Sequence, residues 1–313
     1  MSDRGQASFI GTADLARGRE KLHGHLAMVL FAALISGSFS LGGMAAPHIG
    51  SAALNAIRFF VAMLVMAAAA FAIYRRLPLP QAGSWRFGLL GALMAGYFIA
   101  MFIALKTTDP VSTGAVFTLI PLMSAGFGYL LLSQTVRPIV IVSLLLAGCG
   151  SIWVIFRGNM DALLSFDIGA GETIFFFGCI CHAAYAPLVK KLNRREPVVL
   201  TTYWTTIATF LAIALVGLGT GELFATAWMD LPQVVWIAVA YLAIVTSAGT
   251  FFLVQYASMR LPASKVMSYG YMIPVFIILY EGLLGHGWAS FSVLIGALLT
   301  VTGLLVMAFA PDL

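Results

Sequence analysis

The chain has 313 residues, of which 61% are hydrophobic and only 9% charged, and its mean hydropathy is +0.99. A water-soluble fold of this composition would have too few polar groups to cover its surface, which argues against a soluble enzyme or a disordered scaffold. The net charge of +5 comes from basic residues scattered between apolar runs, so it marks membrane topology and not a nucleic-acid footprint.

Residues 1–25 are polar, carry Arg4, Arg17, Arg19 and Lys21, and read as a cytoplasmic N-terminal tail. A membrane helix needs about 20 mostly apolar residues. Runs of that kind, broken by charge, Pro and Gly, predict ten spans near 26–46, 51–73, 87–105, 111–133, 138–156, 169–189, 199–219, 233–256, 266–284 and 289–310. The first is long enough to cross and is expected to stay as an uncleaved anchor, although Met44-Ala45-Ala46 imitates a cleavage site. Connections such as Pro47–Gly50, Asp109–Pro110 and Gly285–Trp288 leave no room for an extramembrane domain. The fold class is therefore an all-α polytopic membrane protein with ten transmembrane helices. Alternating segments of β-barrel type are absent.

Lys and Arg set the orientation. With the N-terminus inside, all of the 17 basic residues except Arg58, Lys106 and Arg157 fall toward the cytoplasmic side. That bias places both termini in the cytoplasm and the chain in the cytoplasmic (inner) membrane. Trp85, Trp228 and Trp288 lie near span ends, where interfacial rings belong. Cys149, Cys179 and Cys181 sit in apolar runs without metal-type spacing and read as small buried hydrophobes.

Residues 104–156 align without a gap on 257–309: Pro121 meets Pro274, Gly150 meets Gly303, and Phe156 meets Phe309. Spans one and two match six and seven less clearly, through Phe31 with Phe177 and Ala62 with Ala208, and the second half has a longer loop around Glu222–Pro232. Each repeat then holds five spans, an odd number, so the second copy enters from the opposite side. Inverted repeats belong to secondary transporters, whose halves open alternately around a midplane site.

The stretches Ala104-Leu105-Lys106-Thr107-Thr108, Leu119-Ile120-Pro121-Leu122-Met123 and Tyr129-Leu130-Leu131-Leu132 resemble the fourth-span motif of the drug/metabolite transporter superfamily, EamA-like branch. Met272-Ile273-Pro274-Val275-Phe276 through Gly285 is similar to its ninth-span counterpart, and Arg58-Phe59 to the Arg-Phe pair of span two. The resemblance covers roughly residues 26–310. It implies two EamA-like five-helix repeats, at 26–156 and 169–310 with a connecting loop at 157–168, and the movement of small organic solutes such as amino acids without a cofactor. Two departures matter. The Gly-Glu that commonly ends the fourth span is Ser133-Gln134 here, and its ninth-span equivalent is Gly285-His286, so a role for that acid does not transfer.

Charged and polar groups at membrane depth are the candidate site. Glu281 reads either as a protonatable carboxylate linked to transport, as a static partner of Arg58, or as a side chain snorkelling to the interface. Lys265 either meets a substrate carboxylate or holds topology at a helix end, and His182 either titrates or bonds a neighbouring helix. Hydroxyls at Ser38 and Thr246, with Tyr97, Tyr185 and Tyr269, complete the expected substrate-binding set, although such groups also serve packing. Pro121 and Pro274 are expected to kink their helices. No metal motif or phosphate loop points to an enzyme. The reading is a proton-coupled exporter of a small organic metabolite, with uptake or exchange and a structural membrane partner as alternatives. Its partners are the solute, protons and the lipid bilayer, with no nucleic acid, metal or cofactor, and the chain acts as a monomer or homodimer.

Overall fold

The computed structural model describes residues 18–45, 47–80, 83–107, 116–166, 168–283 and 290–310. Among them every regular element is helical. The first half contains α1 (Arg19–Ala45), α2 (Ser51–Tyr74), α3 (Trp85–Thr107), α4 (Ile120–Leu132) and α5 (Pro138–Ile155). The second contains α6 (Ala170–Leu192), α7 (Val198–Gly219), α8 (Gln233–Tyr241), α9 (Thr250–Ser258), α10 (Ala263–Ser268), α11 (Ile273–Leu283) and α12 (Phe291–Phe309). Eight helical stretches among the described residues are long and apolar enough to cross a membrane, and Ile120–Leu132 is a shorter apolar helix.

Local chemistry sets the helix ends. Pro138 opens α5, where its missing N–H is one that a first turn leaves unpaired anyway. Glu172 returns to the N–H of Gly169 at 2.9 Å and closes the start of α6. Arg75 and Ser133 end α2 and α4 in the left-handed region, at φ 56° and 53°. Short helical turns at Met160–Leu164 and Glu222–Ala225 fill connections that the sequence reads as loops.

Three predicted spans differ in detail from simple helices. The span expected at 111–133 has a described helix of only 13 residues, and positions 108–115 lie outside the described residues. The span expected at 233–256 runs on as one 26-residue helix, but α8 passes into α9 through a π stretch over Leu242–Gly249. In the span expected at 266–284, a 3-10 turn over Tyr269–Met272 separates α10 from α11. Pro121 and Pro274 are each the second residue of a helix, in α4 and α11. Each proline thus falls in the first turn after an irregular stretch, where a missing N–H costs least.

Packing is reciprocal between the halves. α3 lies on α6 as α8 and α9 lie on α1, and α4 lies on α6 as α11 lies on α1. α3 also lies on α7 as the π stretch lies on α2, and the remaining large contacts pair α5 with α12, α2 with α7 and α4 with α10. At the α5–α12 contact the backbones nearly touch. A Cβ on Gly150 would stand 2.6 Å from the carbonyl oxygen of Gly296, and one on Gly303 would stand 2.8 Å from Ala147 N. Small residues at membrane helix contacts gain close van der Waals packing this way.

Polar ties fasten the two ends of the α2–α7 pair. Arg86, at the start of α3, holds Glu196 in the α6–α7 turn: Nη2 donates to Oε1 at 2.7 Å and Nη1 to Oε2 at 2.9 Å. Nη1 also donates to the Leu192 carbonyl at 2.6 Å and Nε to that of Gly83 at 3.0 Å. The two side chains are only 2% and 9% exposed. These hydrogen bonds from Arg86 hold the Glu196 carboxyl below its ordinary range, against the opposing effect of burial. At the other end, past the C-terminus of α7, Glu222 Oε2 accepts from Ala52 N at the start of α2 at 2.7 Å. A carboxylate there also meets the positive end of the α2 dipole.

Candidate functional site

The interior is polar where the outside is not. Leu64, Leu130, Leu145, Leu215 and Leu298 are exposed, whereas Asn55, Arg58, His182, Thr246, Ser247 and Gln255 are buried. That distribution suits a bundle whose surroundings are hydrocarbon.

The buried groups are joined by rings. His182 of α6 stacks on Tyr97 of α3 with centroids 4.4 Å apart and planes 22° apart. Tyr97 meets Phe98 at 4.9 Å, Phe98 meets Phe59 of α2 at 5.1 Å, and Phe59 meets Phe251 of α9 at 5.5 Å. Phe251 in turn lies 5.9 Å from Tyr185. Arg58 enters this row with its guanidinium 4.4 Å over the Phe98 ring, within cation–π range. Its Nε donates to Ser247 Oγ at 2.6 Å, and Nη2 reaches Thr246 Oγ1 at 3.5 Å. Both hydroxyls belong to the π stretch, which so places two adjacent side chains beside one cation. π segments inside α-helices occur often at functional sites.

Of the expected substrate-binding residues, Tyr97, His182, Tyr185 and Thr246 gather here with Arg58. The others do not join them. Ser38 donates to the Ile35 carbonyl of its own helix at 2.5 Å. Tyr269 is hydrogen-bonded to His25 Nδ1 at 2.8 Å. Lys265 is 1% exposed and donates to the Ala310 carbonyl at 2.7 Å, so it is buried in protein and caps the end of α12. Glu281 is a helical position in α11, but its side chain lies outside the described residues.

Sequence reasoning missed two partners. Gln255 Nε2 donates to the Tyr185 hydroxyl at 2.9 Å, fully buried. A lone amide in an apolar run was the available signal. Tyr185→Phe is expected to cost about 1–2 kcal/mol by stranding that amide donor. Thermal unfolding in detergent, compared with Gln255→Leu and with the double variant, checks it: the double variant is expected to recover most of the loss. Gln134, standing where the acid commonly ends the fourth span, uses its Oε1 to accept from Ala263 N at 3.3 Å. The acceptor at that position is kept here without the charge.

A helical bundle with lipid-type residues outside and a ring-lined polar interior defines an integral membrane protein. The chain belongs to the EamA-like transporter family, which matches residues 22–156 and again residues 169–309. It is therefore a membrane transporter of the drug/metabolite type. It is similar to the uncharacterized transporter YyaM of Bacillus subtilis (strain 168), 26% identical over 218 residues, which make up 70% of each chain. A solved structure described only as "Crystal structure of protein" shares the fold, with a TM-score of 0.72 and 21% identity, covering 93% of this chain and 98% of that one.

Proposed function

We propose that the protein is a secondary transporter of the cytoplasmic membrane that exports a small organic metabolite, an amino acid or related compound, by proton-coupled alternating access. Its ten spans form two inverted five-helix repeats with both termini in the cytoplasm. The observation that carries this reading is the reciprocal packing, in which the large contacts between the halves have counterparts and α2–α7, α4–α10 and α5–α12 pair across the halves. Exchange of two such halves is what alternating access around a central site requires. The helix restarts at Pro121 and Pro274 support it, since both fall at the same place in the two halves. Glu281 is the proposed proton carrier.

The test uses purified protein in proteoliposomes loaded with a soluble metabolite extract, with solute loss read by mass spectrometry under an imposed pH gradient. Certain solutes are expected to leave only when protein is present, and faster with the gradient. Glu281→Gln is expected to abolish the gradient's effect while downhill exchange persists. Absence of protein-dependent loss under any gradient overturns the transport reading. A wild-type response to the gradient in Glu281→Gln removes that carboxylate from coupling.

A further inference from the structure

Among the described residues, three basic side chains are at most 2% exposed: Arg58, Arg86 and Lys265. Arg86 has its carboxylate in Glu196, and Lys265 closes a helix end at Ala310. Arg58 differs. Among the described residues it has only hydroxyl and ring contacts, no carboxylate pairs with it, and its Nη1 has no hydrogen-bond partner. A cation taken out of water costs several kcal/mol unless a counter-charge and hydrogen bonds compensate it. Two hydroxyls and a ring face fix the plane of the guanidinium without neutralising it.

Among the described residues, one neighbour in the ring row holds a fully buried atom without a partner, and a second has a free hydroxyl. His182 Nδ1 is buried without a partner, and the Tyr97 hydroxyl makes no hydrogen bond to a described residue. Buried polar atoms in folded proteins are nearly always paired, so His182 Nδ1 beside a buried cation calls for an explanation. The groups also differ in kind: a planar cation over the Phe98 ring, and next to Phe98 a stacked imidazole–phenol pair with polar tips.

We infer, on the basis of the transporter reading above, that the solute carries a carboxylate which the open edge of Arg58 binds, while its apolar body lies along the Tyr97–His182 rings. A guanidinium whose plane is already set presents a fork matched to a carboxylate, and the carboxylate supplies the counter-charge that no described residue gives. Arg58, and not Lys265, is then the anion-recognising residue.

Proteoliposomes loaded with equal amounts of benzoate, benzyl alcohol and benzylamine test the charge requirement at nearly constant shape, beside a metabolite extract in parallel vesicles. Protein-dependent loss is expected for benzoate and for carboxylates of the extract, and not for benzylamine. In Arg58→Gln it is expected to fall to the level of protein-free vesicles. Where Arg58→Gln does not assemble, Arg58→Lys replaces it: its point charge is expected to retain carboxylate selectivity at a flux reduced at least tenfold. Flux equal to wild type in Arg58→Lys overturns the role of the guanidinium. Passage of amines or neutral solutes with carboxylates retained overturns the inference while leaving the transporter reading in place. No protein-dependent loss of any solute overturns that reading, and the inference with it.

Discussion

Arg86→Ala is expected to cost about 3–5 kcal/mol of stability, because it leaves the Leu192 carbonyl without its side-chain donor and the Glu196 carboxylate with only the Arg194 N–H at 3.3 Å. The tie joins the start of α3 to the α6–α7 turn, so its loss loosens one end of the bundle and not a single side chain. Glu196→Gln keeps an acceptor and is expected to cost less. The pH dependence separates the two effects. Glu196 is held below its ordinary range, so its contribution is fully present above the unfolded pKa of about 4.3 and disappears as pH falls through the lower folded value. Wild type is expected to lose stability in that acid window, and Glu196→Gln to lack that component. Thermal unfolding in detergent from neutral pH into the acid range checks both, and identical acid profiles would remove Glu196 from the account.

Gly150→Leu is expected to be at least as damaging. A Cβ at that position would already lie 2.6 Å from Gly296 O and 2.7 Å from Thr300 N, and these are backbone atoms that cannot rotate away. α5 must then separate from α12 along the largest contact between the halves, at about 3 kcal/mol or more. Gly88→Ala is the control of opposite sign. A Cβ there meets nothing within 4 Å on an exposed face of α3, and the change is expected to be neutral or to gain up to about 1 kcal/mol. The amount of monodisperse protein and its unfolding temperature distinguish these outcomes. A Gly150→Leu protein as stable as wild type would mean that α5 and α12 do not pack as closely as described.

These cases show which parts of the fold are legible in one sequence. Hydrophobic runs of membrane length mark most helices, because a span has to satisfy its backbone internally and its lipid-facing side chains cannot be polar. The paired prolines and Gly150 with Gly303 are legible too, since each residue carries a backbone consequence that survives in an apolar background. The partnership of Arg86 with Glu196 is not, because nothing local tells a loop carboxylate which distant arginine it will meet. The same holds for Gln255 and Tyr185, which sit on different helices. Arg58 stands out as a buried charge, but Ser247 and Thr246 as its neighbours depend on a backbone irregularity in Leu242-Ala243-Ile244-Val245-Thr246-Ser247-Ala248-Gly249, where no proline announces a break.

That irregularity makes chain length part of the specification. A π stretch closes its hydrogen bonds one residue later than an α-helix does, so about one residue of α8–α9 is surplus to an unbroken α register. Deleting one residue between Leu242 and Gly249 would let the segment relax into ordinary helix, with every backbone hydrogen bond kept. Because that residue is surplus, α8 and α9 would keep their mutual orientation, and only the side chains inside the segment would be re-aimed. Phe251 and Gln255 would stay in the ring row, whereas Thr246 and Ser247 would no longer both face Arg58. Two relatives could thus keep the same residue types here and still surround the arginine differently, through a gap hidden inside a membrane helix where alignments seldom place one.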